Sequence, residues 1–389
     1  MINKAVRVTK ANGAVVETQA KPFSASDLEA DEVLIKNVAV ASNPKDWKLA
    51  YYGLFEGIEG NDVAGHIEAV GANVKHLSKG DRVIAFTRMA SGDKYGAYQP
   101  YTVAPAWTTA KLADNVSLED GATLPLAVTT AFVGLYDKLG LPEPTSDGEP
   151  AAGADEATVL IWGASSSVGA YVTQLAKISG FNTVAVAGAA RDAVEALGIP
   201  ASKIVDYRAE RDTVIENINK AAGGSAFTHV YDCISTQETV DTIVELLSTG
   251  PNRGGKVTTV LNSAYDDADA NAKLSKEKGI SFDRTMCGSV HADKKEFGTR
   301  WFKQVTDWAV EGKLQPNKVQ LLDGGLDGVP AGLKLLQENK VSNRKLVDPS
   351  DRRTPTFAAE RRGVTQRNAG RKGPAMPRDC VQAKGPGCH

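Results

Sequence analysis

The stretch VLIWGASSSVGAYVTQLAK, residues 159–177, decides the fold. Its first four residues form an apolar run of strand length, and apolar residues then recur at helical spacing from Val168 onward. Gly163 allows a sharp turn out of the strand, and Gly169 allows the helix to pack closely against it. The pattern therefore predicts a strand, a tight turn of small residues and a helix whose free N–H groups face a bound phosphate.

This match alone leaves an alternative open. Ser165 stands where a middle glycine often lies, so the same stretch is compatible with an ordinary strand–helix turn. The rest of the chain is needed to choose between the two interpretations.

A regular alternation of strands and helices begins at residue 157 and extends the pattern. The predicted strands are residues 157–162, 183–187, 203–206, 229–234 and 256–261, and the predicted helices are 168–179, 192–197, 213–221 and 237–247. Such alternation predicts an α/β domain with a doubly wound parallel sheet and helices on both faces.

The first part of the chain reads differently. Strands are predicted at residues 5–9, 32–40, 63–70, 82–86 and 97–103, separated mainly by Gly, Asp, Asn and Ser turns. Residues 118–139 are predicted to be helical with a kink at Pro125, and the Pro- and Gly-rich residues 141–153 to be a mobile surface loop. Two later helices are predicted at 296–311 and 329–337.

Composition excludes several function classes. The 389 residues carry a net charge of −2, which gives no electrostatic reason to expect a nucleic-acid partner. No run of 18 apolar residues exists, so no membrane span is expected. The N-terminus reads as a first strand, and the four cysteines lie far apart or in the last segment, which favours a reducing, cytoplasmic setting.

Residues 348–389 change character, with more Lys and Arg than Asp and Glu and few aliphatic residues. This composition predicts a disordered basic tail. We favour an unselected extension over a segment that touches nucleic acid or acidic lipid.

Three blocks together carry a family resemblance. They are a glycine-spaced pattern from Gly60 to Val74, the run KGDRV at residues 79–83, and the Gly163–Gly169 turn. In this order and spacing they resemble the medium-chain dehydrogenase/reductase superfamily over residues 1–347. The resemblance implies a GroES-like β-rich catalytic domain (1–125) and a Rossmann NADPH-binding domain (126–297, with a loop at 141–156). It also implies a return to the catalytic domain (298–347) and an active-site cleft between the domains.

The resemblance also predicts that no metal is bound. Zinc members open the first pattern with Gly-His-Glu, whereas Asn61 and Asp62 follow Gly60 here. The turn that would supply a cysteine ligand is Asn43-Pro-Lys-Asp46, and no structural cysteine lobe is present. A tetrahedral zinc site needs several ligands, so neither a catalytic nor a structural zinc is expected.

The turn at residues 43–46 resembles the zinc-free quinone- and enoyl-reductase branches. Blocks at 43–48, 124–131, 141–153, 205–208 and 341–347 further resemble the fungal trans-acting enoyl reductases. That resemblance implies a small-molecule or carrier-bound enoyl substrate and a polyketide synthase as partner, without nucleic acid or membrane.

NADPH is the predicted cofactor. An NAD site needs a carboxylate at the end of the second strand, and residues 185–191 contain none, whereas Arg191 could pair with a 2′-phosphate. By the resemblance Tyr207 lies against the adenosine phosphate. The expected cofactor-binding residues are Lys45, Asp46, Trp47, Lys48, Gly163, Ser165, Ser166, Ser167, Val168, Gly188, Arg191, Tyr207, Leu261, Asn262 and Lys345.

Lys48, Thr129 and Asn43 are the predicted catalytic residues. Without a Lewis acid, reduction of an activated C=C bond fits better than alcohol oxidation, because the protein needs only to stabilise an enolate oxygen. Lys48 follows the turn where relatives carry a Lys or a Tyr and is the candidate donor, although its charge could instead hold a cofactor phosphate. Thr129 stands where zinc relatives place a ligand, with a backbone-bonded helix threonine as the alternative.

The resulting prediction is an NADPH-dependent, zinc-independent enoyl reductase. A quinone oxidoreductase on the same scaffold and an NADPH-binding partner protein without turnover remain the alternatives. Pro349 follows the predicted last strand, and because proline cannot donate to a ladder, the sequence predicts that this strand is cut short.

Overall fold

The computed structural model describes residues 3–249 and 252–349. The strands are β1 (Asn3–Thr9), β2 (Gly13–Ala20), β3 (Glu32–Ala41), β4 (Gly57–Ile58), β5 (Asp62–Val70), β6 (Arg82–Phe86), β7 (Tyr101–Pro105), β8 (Thr109–Lys111), β9 (Thr158–Trp162), β10 (Asn182–Val186), β11 (Ile204–Val205), β12 (His229–Asp232), β13 (Gly255–Thr259), β14 (Ile280–Arg284), β15 (Val319–Leu321) and β16 (Lys345–Pro349). The helices are α1 (Lys45–Tyr51), α2 (Leu118–Gly121), α3 (Pro125–Phe132), α4 (Ser167–Ile178), α5 (Arg191–Ala196), α6 (Arg211–Ala221), α7 (Gln237–Ser248), α8 (Ala268–Lys278), α9 (Lys295–Val310) and α10 (Val329–Gln337).

Six parallel strands form one sheet in the order β11-β10-β9-β12-β13-β14. Successive residues of β9 enter different cores, since Leu160 packs with α6 and α7 while Ile161 packs with α3, α4 and α9. The sheet is therefore covered on both faces, which confirms the predicted α/β class. The strand order changes direction on either side of β9, and ligands of such sheets bind beyond the carboxyl ends of the strands at this point.

The remaining strands form two mostly antiparallel sheets. One has the order β2-β1-β4, and the other has the order β15-β16-β3-β5-β6-β8 with β7 paired to β3. Their apolar residues enclose a separate core that includes Val6, Ile35, Val63 and Val83. The chain thus leaves the β-rich part, builds the parallel sheet, and returns to pair β16 with β3. The domain boundaries given above stay a prediction.

Several predicted elements needed correction. The predicted 118–139 helix is split into α2, α3 and a π-helical turn, and Pro125 begins α3 instead of kinking a continuous helix. The predicted strand at 97–103 lies at Tyr101–Pro105. Strand β2, helix α8 and strand β14 were not predicted, because their sequences lack a strong apolar period.

The predicted loop at 141–153 is tied to α9 and the turn that follows it. Gln304 Nε2 and Trp308 Nε1 both donate to the carbonyl of Ser146, at 2.8 and 3.2 Å, and Arg300 forms an ion pair with Glu143 at 2.6 Å. The Pro and Gly content correctly excluded helix and strand, but the loop is bonded along the helix and is not a free surface segment.

Pro349 does not cut the last strand short. Pro349 lies opposite Ala39 of β3, whereas β15 pairs only with residues 345–347 of β16. Proline is tolerated here because one side of the strand has no strand partner at this point in the described part of the chain. Residues 350–389, where most of the basic tail was predicted, lie outside the described residues.

Within residues 3–249 and 252–349, no helix combines the length and the apolar character that crossing a membrane requires.

Candidate active site

A cleft of about 890 Å³ lies between the parallel sheet and the returning segment of the chain. One wall is formed by the turn after β9, the loop after β10 and the loop between β11 and α6. The other wall is formed by residues 42–44 and by the segment that leads from α10 into β16. The cleft therefore lies at the carboxyl end of the parallel strands, as this fold predicts.

The glycine turn fits a pyrophosphate. Gly163 has a φ of +77°, and a Cβ there would lie 2.6 Å from the side chain of Ile234, which lines the cleft. A Cβ at Gly169 would lie 2.2 Å from the Gly163 carbonyl oxygen. Ser166 caps α4 by accepting a 3.0 Å hydrogen bond from the Gly169 N–H. The first N–H groups of α4, beginning with Ser167, have no carbonyl one turn earlier and are available to an anion.

The end of the cleft beside the loop after β10 is basic. Arg208 and Arg211 line it together with Tyr207, and a Cβ on Gly188 would lie 2.8 Å from the Tyr207 ring. Arg208 forms an ion pair with Asp206 at 2.5 Å and thereby lowers the pKa of that carboxyl to about 2. The loop after β10, residues 187–190, contains only Ala and Gly. This end therefore offers guanidinium groups, while no carboxylate follows β10.

Arg191 has a different environment from the one that was predicted. Its guanidinium donates to the carbonyl of Ile204 at 2.8 Å and reaches that of Ala201 at 3.5 Å. It is absent from the cleft lining, so in this conformation Arg191 joins α5 to β11.

A buried polar cluster borders the cleft at residue 43. The Asp62 carboxylate accepts from Asn43 Nδ2 at 2.8 Å and from the main-chain N–H of Leu126 at 2.6 Å, and it forms a 2.9 Å ion pair with Lys345. Lys345 also donates to the Asn43 side-chain oxygen. Lys345 is 3% exposed and Asp62 is fully buried. The cluster therefore joins β5, β16, α3 and the turn before α1.

A second buried cluster lies behind it. Lys45 forms ion pairs with Asp46 at 2.7 Å and Glu59 at 2.8 Å, and Asp46 also accepts from Tyr98 and from the Asn43 N–H. Burial lowers the pKa of Lys45, but the two carboxylates outweigh burial and raise it. Burial raises the pKa of Glu59 to about 7. Lys45 and Asp46 are thus engaged with protein groups.

Two predicted catalytic residues differ in their partners. Lys48 is half-buried, its Nζ lies 5.8 Å from the Trp47 ring centroid, and burial lowers its pKa. In the described part of the chain its ammonium has no hydrogen-bond or ion-pair partner. The Thr129 hydroxyl is buried without a hydrogen-bond partner among the described residues, whereas Thr130 bonds the Leu126 carbonyl. The alternative for Thr129, a hydroxyl bonded to its own helix backbone, is therefore not observed. Its neighbour Thr130 makes that bond.

Other predicted cofactor residues lie away from the cleft lining. Trp47 lines a separate surface groove with residues of α10. Val168 packs against the core, and Leu261 and Asn262 are exposed, with the Asn262 side chain accepting from Arg284. Asn43, Gly163, Ser165, Ser166, Ser167, Gly188, Tyr207 and Lys345 do line the cleft.

Sequence reasoning missed Arg208 and Arg211 as cleft residues. The run Asp206-Tyr-Arg208 was noted only as a family block, although a basic residue directly after a parallel strand could have been placed at this edge. The loop from residue 339 to 344 was noted only in part, within the family block at 341–347, and was not placed at the cleft. Asn339 and Asn343 in it have φ values of +53° and +51°.

Comparisons with known proteins agree with this geometry. Residues 29–114 match the family model for the alcohol dehydrogenase GroES-like domain, and residues 167–304 match the model for zinc-binding dehydrogenases. The trans-enoyl reductase fsr4 of Gibberella fujikuroi is 32% identical over 304 residues, which cover 76% of this chain and 85% of the relative. The chain belongs to the medium-chain dehydrogenase/reductase superfamily. It is an oxidoreductase of the reductase type within that superfamily.

Two further proteins illustrate the breadth of the match. The trans-enoyl reductase resD of Aspergillus sclerotiorum is 31% identical over 331 residues, which cover 81% of this chain and 92% of the relative. The crystal structure of an alcohol dehydrogenase superfamily protein from Novosphingobium aromaticivorans superposes with a TM-score of 0.72 at 21% identity, covering 90% of this chain and all of that chain. The latter supports the fold alone.

Zinc, which the second family model implies, does not fit the residues of this superfamily member. The Asp62 carboxylate is paired with the Lys345 ammonium, and the Asn61 side chain donates to the Thr87 carbonyl. Over residues 3–249 and 252–349, no group of three or more His, Cys, Asp and Glu side chains is arranged to hold a metal. Because a lysine ammonium already pairs with the carboxylate, Asp62 is not available as a zinc ligand.

The Lys345–Asp62 ion pair generates a stability prediction. Lys345→Met leaves the Asp62 carboxylate buried without its cation, so we expect the free energy of unfolding to fall by roughly 3 kcal/mol or more. The exposed pair Lys303–Asp307 provides the matched control, and Lys303→Met should cost less than about 1 kcal/mol. Urea unfolding of both variants measures the difference, and equal costs would contradict a structural role for the buried pair.

Glu59 generates a pH prediction. Burial raises its pKa from 4.5 to about 7, so the folded protein retains the proton to higher pH than the unfolded chain does. Stability should therefore fall as pH rises from 4.5 to 7, by an amount on the order of 3 kcal/mol for a shift of this size. Glu59→Gln should remove that loss, while Glu68→Gln at the surface should keep it. Unfolding curves at pH 5 and 8 test this, and unchanged pH dependence in Glu59→Gln would refute it.

Proposed function

We propose that this protein is a zinc-independent, NADPH-dependent reductase of activated C=C bonds in enoyl thioesters or enones. The observation that carries the proposal is the buried Asn43–Asp62–Lys345 cluster beside the nucleotide cleft. This cluster places fixed polar groups beside the cleft and puts an ammonium where a zinc ligand set would need a free carboxylate. Alcohol oxidation depends on a Lewis acid to stabilise an alkoxide, whereas reduction of a conjugated C=C bond does not. The names of the relatives, trans-enoyl reductases, support the same reaction class.

When bound, the nicotinamide cofactor would supply a hydride for the β-carbon of the substrate. Gly163, Ser165, Ser166 and Ser167 would hold its pyrophosphate on the first turn of α4. Gly188 and Tyr207 would contact its adenosine. Val168, Leu261 and Asn262 have side chains outside the cleft lining, so they would not contact the cofactor in this conformation.

The preference for NADPH is supported by charge at the adenosine end. Arg208 and Arg211 lie there, and the guanidinium group suits bidentate contact with a phosphate. Residues 187–190 offer no carboxylate for the 2′-hydroxyl that NAD carries. We therefore assign the 2′-phosphate to Arg208 and Arg211 together with Tyr207, and Arg191 remains the competing candidate.

We assign the substrate side to Asn43, which lines the cleft, and to Lys48 and Thr129, which lie outside its lining. Asn43 is held by Asp46 and Asp62 and would position the substrate side of the cofactor. Lys48 carries the ammonium without a bonded partner in the described chain and would deliver a proton or hold a phosphate. Thr129 would contact the substrate through its unpaired hydroxyl. Lys45, Asp46 and Lys345 would hold their neighbours in place and would not contact the substrate, because their side chains already bond other protein groups.

The partner we propose is a polyketide synthase that presents the enoyl group on its carrier domain. The relatives are named trans-enoyl reductases, and the resemblance to the fungal trans-acting enoyl reductases implies a substrate held by a synthase. A quinone oxidoreductase remains the alternative activity on this scaffold.

The test of the reaction is NADPH oxidation by the purified full chain with a short 2-enoyl thioester, with a quinone assayed in parallel. We expect thioester turnover, and Lys48→Ala should lower kcat by about 10²-fold if the lysine delivers a proton. Lys303→Ala on the exposed face of α9 is the matched control and should leave turnover unchanged. Turnover of the quinone alone would replace the proposal by quinone reduction, and no oxidation while NADPH still binds would reject it.

The cofactor preference has a separate test. The double variant Arg208→Ala, Arg211→Ala should raise the KM for NADPH by about 10- to 100-fold, as loss of charge-assisted bonds predicts, while the KM for NADH changes little. Arg191→Ala should have the smaller effect, because its guanidinium bonds main-chain carbonyls. If Arg191→Ala instead removes the preference, the 2′-phosphate belongs to Arg191.

A further inference from the structure

A short turn at Cys287–His291 lies beside the buried cluster that borders the cleft. It follows β14, the last strand of the parallel sheet, and Trp107 Nε1 donates to its Val290 carbonyl at 3.1 Å. The His291 ring stacks on Phe86 with 4.8 Å between ring centroids and 28° between planes. Phe86 is the last residue of β6 and pairs directly with Asp62 across the sheet. Two adjacent contacts therefore connect His291 to the Asn43–Asp62–Lys345 cluster.

Several buried hydrogen-bonding atoms near this turn have no partner in the described residues. They are both ring nitrogens of His291, the Ser289 hydroxyl and the Thr129 hydroxyl. The main chain of Thr87 lies near the imidazole and slightly favours its charged form, but not with the geometry of a hydrogen bond. Thr129 belongs to α3, against which the turn packs. Since buried polar atoms are almost always paired, a partner from outside the described residues is expected here, and a bound ligand is one such partner.

The chemistry of these groups suits a neutral hydrogen-bond acceptor that gains negative charge. Burial, with a smaller effect of Arg88, lowers the pKa of His291 to about 4, so the imidazole is neutral at pH 7 and donates one N–H. The two hydroxyls are neutral donors as well. Preorganised donors of this kind stabilise an oxyanion without the cost of burying a second charge.

We propose that His291, with Ser289 and Thr129, forms the subsite that receives the carbonyl oxygen of the enoyl substrate. The inference rests on the proposed function and deepens it. As hydride adds to the β-carbon, the C=C electron pair moves toward the carbonyl and leaves negative charge on its oxygen. The three donors hold that oxygen, and a proton from Lys48 or water then reaches the α-carbon to give the saturated thioester. The reduction consumes one hydride and this one proton and needs no other reactant.

Access to the subsite requires an outward shift of the turn, because these donor atoms are shielded from solvent in the present conformation. Gly288 lies in the turn with no atom within 4 Å of the position that a Cβ would occupy, and Met286 directly before the turn is 54% exposed. The turn therefore has free space on its outer side.

The test compares His291→Phe, which keeps a ring to stack on Phe86 but removes the N–H, with His291→Gln, which keeps a donor. We expect His291→Phe to lower kcat with a 2-enoyl thioester by about 10²-fold, as loss of one oxyanion donor does. NADPH affinity, followed by fluorescence, and thermal stability should stay near wild type. His291→Gln should recover part of the loss. His66→Phe, on β5 and outside the cleft lining, is the matched control and should not change kcat.

A second readout separates this inference from the proposed function. The ¹⁵N resonances of the His291 imidazole should shift when a saturated acyl thioester is added to the full chain in the presence of NADPH, and Ser289→Ala should reduce that shift. An unchanged kcat in His291→Phe beside an active wild type would overturn the subsite alone. An inactive wild type would reject the proposed function. The imidazole resonances would still test the subsite, because a shift on adding the thioester supports it. No shift, as expected if only a water molecule binds there, overturns it.

Discussion

The Asp62 carboxylate is the constraint on which the rest of this site depends. It is fully buried, so its charge is tolerated only because Lys345, Asn43 and the N–H of Leu126 all bond it. Each of these partners comes from a different element. The carboxylate therefore fixes how the returning strand, the turn before α1 and α3 meet beside the cleft.

The glycine turn, the strand–helix alternation and the apolar strands could be predicted because each has a local physical signature. Gly163 and Gly169 are needed for a positive φ and for close packing, and such needs are visible in sequence. The π-helical turn after Phe132 and the role of Pro125 were not visible, because they depend on how neighbouring helices pack. Pro349 was misjudged for a similar reason: whether proline disturbs a strand depends on which side of it has a partner.

The site residues likewise differ in whether local sequence or distant packing decides their environment. The turn of small residues follows from the backbone, so the sequence could place Gly163, Ser165, Ser166 and Ser167 at the cleft. The bonds of a charged side chain depend on partners that lie far away in the sequence. The sequence therefore could not pair Lys45 with Glu59, Arg191 with the Ile204 carbonyl, or Lys345 with Asp62. His291 carried no signal at all, since its position beside Phe86 arises only from the crossing between the two parts of the chain.

The bond between Lys345 and Asn43 joins residues 302 positions apart. Contacts of such sequence separation form late, after the entropy of closing a long loop has been overcome. During synthesis the ribosome releases Lys345 only after the whole parallel sheet, so Asp62 cannot receive its counter-ion until nearly all the described chain has emerged. Asp62 can therefore be buried together with its counter-ion only after the parallel sheet has been synthesised, so docking of the last strand completes the β-rich part.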